Sequence, residues 1–288
     1  MIQEKQIDVF YKTQYSVKLQ SLLNLITELN DEINWYKHIH EEVWGTLQDK
    51  IIIDWIYHSN AIEGNTLTRK ETGFFLQYDL TIKGKPLKDF LEARNHSDAI
   101  HFLFDFIKDD RIIEPFLIKE FNTLLFSGIT YTKSINKFGE PIKNILRSGQ
   151  YKLEINHVQQ PDGTIHYYSE PIDVPAQIDY LCSWINKNID ILHPLLTSAI
   201  AHYNFLRIHP FDDGNGRGAR LLMNTILMKK KHPPVVIKNE NRQDYIESLI
   251  KADNGDLEPF ISFIAQSLIE TQELILNELK NIGKNNKK

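Results

Sequence analysis

The sequence predicts a mostly α-helical fold with one β-hairpin and an N-terminal helical arm. Apolar residues recur at helical spacing along most of the 288 residues. Residues 129–172 are instead polar and carry several Gly and Pro residues. Within this stretch, YKLEINHV and TIHYYS flank QQPDG, and two such runs around a Pro-Asp-Gly turn are typical of a short hairpin. We therefore expect helices on both sides of a single strand pair at about residues 149–168.

The N-terminal region, residues 1–110, is expected to be helical. Over residues 7–30 the apolar side chains at helical spacing are Val17, Leu22, Leu25, Ile26 and Leu29. A second helix is predicted over about residues 46–64, because its apolar residues run up to Gly64, and glycine commonly follows a helix C terminus. The next helix begins at Thr68 and Glu71, which have the spacing of a capping box.

A core domain is expected over residues 111–280, followed by a frayed tail at residues 281–288. Further helices are predicted from periodicity over residues 87–107, 114–128, 173–188, 193–208, 220–230, 241–252 and 256–280. No internal repeat or long linker separates them. The domain is therefore expected to be continuous.

Composition narrows the classes of function. A net charge of −5 argues against a nucleic-acid binder held by phosphate contacts. The single cysteine, Cys182, excludes an intramolecular disulfide and is expected to be a small buried side chain. The N terminus lacks the apolar core of a signal peptide, and no run approaches the ~18–20 apolar residues of a membrane span. We therefore expect a soluble, cytoplasmic protein that binds neither nucleic acid nor membrane.

The stretch HPFDDGNGRGAR, residues 209–220, combines groups that packing does not require. Its glycines separate two predicted helices, and a Gly-Asn-Gly loop before a helix N terminus forms an anion cradle suited to phosphates. Arg217 and Arg220 are three residues apart and share a helix face, from which both can bind a phosphate chain. Asp213 could hold Mg²⁺ through those phosphates. His209, with an ordinary pKa near ~6.5, suits a general base.

Each of these residues alone is also compatible with a solvated helix–helix loop, in which Gly turns the chain, Asp caps and Arg solubilises. Taken together, the residues favour a catalytic site over a plain loop. A candidate base, a metal ligand, an anion-binding loop and two cations follow one another in an order that a catalytic site could use. The stretch also resembles the signature of the Fic family, HPFx(D/E)GNGRxxR, at every defined position. The resemblance covers roughly residues 50–275.

The resemblance implies a Fic-type helical core and a Mg²⁺-dependent protein adenylyltransferase, which moves AMP from ATP to a Ser, Thr or Tyr hydroxyl of a protein and releases pyrophosphate. It implies that His209 accepts the proton of the target hydroxyl, that Asp213 binds Mg²⁺ and that Arg220 holds the γ-phosphate. The anion hole, which completes the catalytic set, is implied to comprise Gly214, Asn215, Gly216 and Arg217.

Two further segments fit the same resemblance. The hairpin at about residues 149–168 corresponds to a flap that aligns the target segment by strand pairing, a known mode of peptide docking. The segment after the motif is similar to the part of the family that closes the nucleotide pocket, with Asn241 and Tyr245 as candidates near the base and ribose. As an alternative, Tyr245 is a core aromatic.

The stretch SNAIEGN, residues 59–65, places Glu63 at the end of an apolar helix, where a carboxylate meets the negative end of the helix dipole. An exposed Glu before a Gly-Asn cap is one interpretation. Beside the Fic signature, however, Ser59, Glu63 and Gly64 match the inhibitory helix motif (S/T)xxxE(G/N). The resemblance implies that Glu63 pairs with Arg220 and misaligns the phosphates of ATP.

Three alternatives remain open at this point. The same site could use water to remove AMP from a modified protein. It could transfer another group, such as phosphate or phosphocholine, or the chain could sense a nucleotide without turnover. The expected partner is a protein with a modifiable hydroxyl, with self-modification and pairing of two copies also considered, and the sequence does not identify the target.

Overall fold

The computed structural model describes residues 10–12, 14–39, 41–135, 141–159 and 165–285, and they form a mostly α-helical domain. The helices are α1 (Val17–Ile39), α2 (Glu41–Ile62), α3 (Arg69–Tyr78), α4 (Leu87–Lys108), α5 (Pro115–Leu125), α6 (Val174–Asn188), α7 (Pro194–Ile208), α8 (Asn215–Lys229), α9 (Arg242–Asp253) and α10 (Glu258–Asn285). The predicted fold class is confirmed.

Helix α1 begins at Val17, ten residues later than the predicted start, because Ser16 caps it and its Oγ accepts a hydrogen bond from the backbone N–H of Leu19 (3.2 Å). The buried face of α1 also differs from the prediction. Val17 is 85% exposed, whereas Leu19 and Leu23 are buried. This face packs along α10, the long C-terminal helix.

Helices α7 and α8 form the centre of the domain and pack against each other. Almost every residue of α7 and α8 is buried, which is typical of a helix surrounded by other helices. The loop that joins them carries the HPFDDGNGRGAR stretch. The site is therefore held between the two most enclosed helices of the fold.

Two antiparallel hairpins occur in the described residues, one more than the sequence predicted. The first pairs β1 (Tyr131–Ile135) with β2 (Pro141–Ile145), and the sequence analysis did not identify it. The second pairs β3 (Val158–Gln159) with β4 (Ile165–His166). The predicted Pro-Asp-Gly turn between β3 and β4, residues 161–163, lies outside the described residues, which omit 160–164.

The second hairpin is much shorter than the predicted run from residue 149 to residue 168. Residues 151–157 form no strand, because they bind the motif loop instead of a partner strand. The backbone N–H of Lys152 donates to Pro210 O (2.8 Å), and the amide of Asn156 donates to Phe211 O (3.0 Å). This segment, residues 151–157, is called the flap arm below.

The C-terminal helix α10 continues to Asn285, five residues beyond its predicted end, and residues 286–288 of the tail lie outside the described part of the chain. Within the described residues, the helices all lack the length or the apolar character needed to cross a membrane. Cys182 is buried in α6 with an unpaired thiol, and burial raises its pKa to about 12.

Candidate active site

The loop between α7 and α8 needs two unusual backbone conformations. His209 follows α7 in the left-handed region (φ 51°), and Gly214 precedes α8 in the same region (φ 78°). A side chain at Gly214 would also collide with the ring of Phe126, so that glycine is required for both reasons. Phe211 is buried between them and anchors the loop.

The side chain of His209 is held from three directions. Its Nδ1 lies 2.7 Å from the amide nitrogen of Asn156 and 3.2 Å from that of Asn215. The ring of Tyr168 stacks on it at a centroid distance of 3.9 Å. Burial lowers the pKa of His209 to about 3, with the charges of Lys152 and His166 acting in the same direction. The imidazole is therefore neutral at physiological pH.

The amide of Asn215, at the start of α8, ties the loop to itself. Its Oδ1 accepts the backbone N–H of Phe211 (3.0 Å), and its Nδ2 donates to Phe211 O (2.9 Å). The remaining N–H of this amide faces His209. Asn215 thus links the helix N terminus to the candidate base.

The two arginines of α8 bind different carboxylates, although their spacing suggested a shared ligand. Arg220 donates from Nε to Ser59 Oγ (2.8 Å), and from Nη2 to Ser59 O (2.9 Å) and Glu63 Oε1 (2.7 Å). Arg217 lies 3.6 Å from Glu92 of α4 as an ion pair. Among the described residues, Nε and Nη1 of Arg217 are buried without a hydrogen-bond acceptor. Arg217 therefore retains donors suited to an anion.

Glu63 lies directly after α2, and Gly64 turns the chain there with a φ of 93°. Its carboxylate lies against Gly216 at the start of α8, where a Cβ on that glycine would collide with it. The negative charge thus occupies the helix N terminus, where the helix dipole favours an anion.

The pKa of Glu63 reflects two opposing effects. The cavity leaves 39% of its side-chain surface accessible, and the protein atoms that surround the rest of the side chain remove water from it, which acts to raise its pKa. The charge of Arg220, supported by Arg217 and Arg242, outweighs burial and lowers the pKa below its ordinary value. Glu63 is therefore ionised at neutral pH.

Asp212 and Asp213 are neighbours with different environments. Asp212 accepts two hydrogen bonds from Arg147 (3.0 and 2.8 Å), so its charge is already paired. Asp213 accepts the backbone N–H of Gly214 (2.6 Å) and keeps its other oxygen for a ligand. No group of three or more metal-binding side chains forms in the parts of the chain that the structure describes. A single carboxylate fits a cation that is bound mainly by substrate phosphates.

A cavity of about 680 Å³ opens beside these groups. Glu63, His209, Gly216 and Arg220 line it, as does Tyr245. Tyr245 is also buried, and its hydroxyl lies 3.1 Å from Nε2 of His202. Tyr245 is therefore both a core aromatic residue and a residue that lines the cavity. Asn241 does not line the cavity, whereas its neighbour Arg242 does and donates to Ile62 O (3.0 Å).

Sequence reasoning missed four residues around the site, namely Glu92, Lys152, Asn156 and Tyr168. They lie outside the two recognised motifs, and the contacts that bring them to motif residues are long-range. The flap arm gave no warning in the sequence, because Lys152 and Asn156 occupy the polar positions of the alternation expected of a strand. Pairing of these residues with the motif loop could not be inferred from spacing.

The fold and the site define a helical domain with a histidine beside an anion-binding helix N terminus. Residues 114–227 match the sequence profile of the Fic/DOC family. The chain is 34% identical over 222 residues to "Protein adenylyltransferase Fic" of Nematostella vectensis, which covers 77% of this chain and 48% of that protein. It is 29% identical over 250 residues to "Protein adenylyltransferase fic-1" of Caenorhabditis elegans, covering 86% and 45%.

Solved structures show the same architecture. A Fic domain-containing signalling protein of Bacteroides thetaiotaomicron superposes with a TM-score of 0.79 at 28% identity and covers 89% of this chain and 97% of that one. A fragment of Fic-1 of C. elegans superposes with a TM-score of 0.73 at 26% identity, covering 91% and 73%. The chain belongs to the Fic/DOC family. It spans about half the length of the curated relatives it matches.

Proposed function

We propose that this protein transfers AMP from ATP to a Ser, Thr or Tyr hydroxyl of a protein. The observation that carries the proposal is the carboxylate of Glu63, which lies at the N terminus of α8 and is held by Arg220. A site that binds one anion so closely is built to bind phosphate oxygens. His209 lines the same cavity, so a base and a phosphate site face one substrate space.

In the proposed reaction the target oxygen attacks the α-phosphorus of ATP. The new O–P bond forms as the bond to the β-phosphate oxygen breaks, and pyrophosphate leaves with that electron pair. The hydroxyl proton passes to Nε2 of His209, the ring nitrogen that the Asn156 and Asn215 amides leave open, when the ring carries its own proton on Nδ1. The N–H groups at the start of α8 and the unused donors of Arg217 would stabilise charge on the phosphates.

Asp213 would hold Mg²⁺ together with the phosphates. Its one available carboxylate oxygen agrees with this role. When bound, Mg²⁺ neutralises phosphate charge and orients the leaving pyrophosphate. Asp212 is not the ligand in this proposal, because Arg147 already binds both of its oxygens.

The protein as described would be autoinhibited by Ser59, Glu63 and the turn at Gly64. Nε and Nη2 of Arg220 donate to Ser59 and Glu63, so these donors are unavailable to a γ-phosphate. The Glu63 carboxylate would also repel that phosphate at short range. ATP would then bind with its α-phosphate out of line with the target hydroxyl, and phosphoryl transfer depends chiefly on such positioning.

Two labels on ATP test the proposal. Glu63→Gly protein is incubated with Mg²⁺ and either α-³²P-ATP or γ-³²P-ATP, together with a protein extract as target. The Glu63→Gly/His209→Ala variant measures the label that enzymes of the extract add by themselves. We expect Glu63→Gly to add label above that control only from the α position. Label from the γ position would indicate phosphate transfer, and tight ATP binding without label from either position would indicate nucleotide sensing. Both results would overturn the proposal.

Removal of AMP is the second candidate, and one observation favours it. The Glu63 carboxylate faces the cavity and is partly accessible, so it could align a water molecule for attack on an AMP–protein bond. Incubation of wild-type protein with an AMP-modified target distinguishes the two functions. AMP release that is lost in Glu63→Gly would assign removal to the resting enzyme.

The remaining expectations stay predictions. The expected partner is a protein with an accessible hydroxyl, and the sequence leaves self-modification and pairing of two copies open. A cytoplasmic location is likewise predicted from the sequence.

A further inference from the structure

Lys152 is a charged side chain buried behind the candidate base, and the family signature does not include it. Only 1% of its surface is exposed. Its Nζ donates to Asn156 Oδ1 (2.7 Å) and lies 3.5 Å from Ile208 O, at the end of α7. Burial lowers the pKa of Lys152 to about 8, so it is still an ammonium ion at neutral pH.

The ammonium of Lys152 fixes which way the Asn156 amide points. An ammonium group only donates hydrogen bonds, so the atom it contacts must be the amide oxygen. The NH₂ group of Asn156 is therefore turned the other way, toward Nδ1 of His209 (2.7 Å) and Phe211 O (3.0 Å). The backbone N–H of Phe211 orients the Asn215 amide in the same manner.

Both amides consequently donate to Nδ1 of His209. A neutral imidazole that accepts at Nδ1 carries its proton on Nε2. The nitrogen left for the cavity is then a donor, whereas removal of a hydroxyl proton requires it to be an acceptor. If the Asn156 amide turned by 180°, its oxygen would accept an Nδ1–H at 2.7 Å, a closer contact than the Asn215 amide nitrogen at 3.2 Å, and Nε2 of His209 would become the base.

We propose that Lys152 and Asn156 are positioning residues that set the tautomer of His209, and that the orientation found here holds the ring in its non-basic form. The inference rests on the proposed function for its catalytic consequence but not for the tautomer itself. This restraint on the site is independent of Glu63. Glu63 affects the position of the phosphates, whereas the tautomer of His209 affects the transfer of the proton. A histidine held in the wrong tautomer in a Ser–His–Asp triad loses about 10⁴ in kcat, which bounds the size of such an effect.

The test uses ¹⁵N NMR of histidine-labelled full chain without nucleotide, with the His209 signals assigned by comparison with His209→Ala. We expect wild type to show the Nε2–H tautomer. Asn156→Asp replaces the amide by a carboxylate that accepts from Nδ1–H, so we expect the opposite tautomer. Gln150→Glu is the matched control, because it adds the same charge at an exposed position near the flap arm, and it should leave the tautomer unchanged.

Activity supplies the second measurement. In the Glu63→Gly background, Asn156→Asp should raise kcat for AMP transfer about tenfold or more, with KM for ATP within about twofold, because general-base catalysis is worth about 10²–10⁴. Lys152→Met is the second variant should Asn156→Asp fail to fold. It releases the Asn156 amide and should give a mixture of both tautomers.

The outcomes separate this inference from the proposed function. The same tautomer in wild type, Asn156→Asp and Lys152→Met would overturn the inference, whatever the activities. A change of tautomer with no AMP transfer by any Glu63→Gly variant would leave tautomer control standing and would contradict the proposed function instead.

Discussion

Two regions reach the α7–α8 loop from opposite sides, and they control different parts of the proposed chemistry. The end of α2 brings Glu63 to Arg220, a contact with the phosphate side of the site. The flap arm brings Asn156 to His209, a contact with the proton side. The first is an ion pair between opposite charges and the second is a hydrogen bond between neutral groups. Charge at one side and tautomer at the other can therefore be altered separately.

The largest expected effect comes from His209 itself. In the Glu63→Gly background, His209→Ala should lower the rate of AMP transfer by about 10²–10⁴, because it removes the proposed acceptor of the target hydroxyl's proton. Transfer is measured by intact-protein mass spectrometry. An active His209→Ala variant with an unchanged melting temperature would show that His209 is not the base that accepts the proton.

The two neighbouring aspartates test which carboxylate holds Mg²⁺ at the phosphates. In the same background, Asp213→Asn should lower the rate about a hundredfold or shift the Mg²⁺ requirement upward, since it removes the available carboxylate oxygen. Asp212→Asn is the matched control and should retain most of the rate, because its partner is Arg147. The reverse pattern in a Mg²⁺ titration would exchange the two roles.

Ser59 should contribute less than Glu63 to inhibition. Ser59→Ala removes the hydrogen bond from Nε of Arg220 but leaves the backbone oxygen of residue 59 and the Glu63 contact in place. A net hydrogen bond of about 1 kcal/mol corresponds to a rise of about fivefold in basal transfer. A rise as large as that of Glu63→Gly would mean that the helix end, and not the carboxylate, holds Arg220.

The most general effect, which lies outside the two regions, concerns stability in acid. His96 and His202 are fully buried, and burial lowers the pKa of both well below the ordinary 6.5. The folded state then binds fewer protons than the unfolded state below about pH 6.5. The free energy of unfolding should fall with decreasing pH by about 1.4 kcal/mol per unit for each of them. Urea unfolding between pH 7 and pH 5 measures this, and a flat profile would contradict it.

The sequence was sufficient for the parts of the molecule that follow local rules. Helix periodicity located the core helices, and the glycines of the motif located the loop that carries His209 and the start of α8. It was insufficient for the flap arm, because alternation predicts a strand and cannot show that the backbone of Lys152 will pair with Pro210 instead. The exposed face of α1 was misassigned for a related reason, since the packing of α10 and not the periodicity chose the buried side.

The two arginines of α8 illustrate the same limit within the site. Spacing placed them on one face, and the resemblance gave both to phosphates. The fold separates their partners, with Glu63 on Arg220 and Glu92 on Arg217, because α2 and α4 approach α8 from different sides. Only the three-dimensional packing shows which arginine is satisfied and which still has buried donors without acceptors in the described structure.

The most direct test of the central claim is the rate of AMP transfer by Glu63→Gly relative to wild type, measured with the same Mg²⁺-ATP and protein extract. If Glu63 occupies the position that a phosphate of ATP needs, its removal should raise the rate of AMP transfer about a hundredfold. Misplacing a reactant in an active site changes the rate by a factor of this size. Equal rates for the two proteins, with ATP bound by both, would contradict the account.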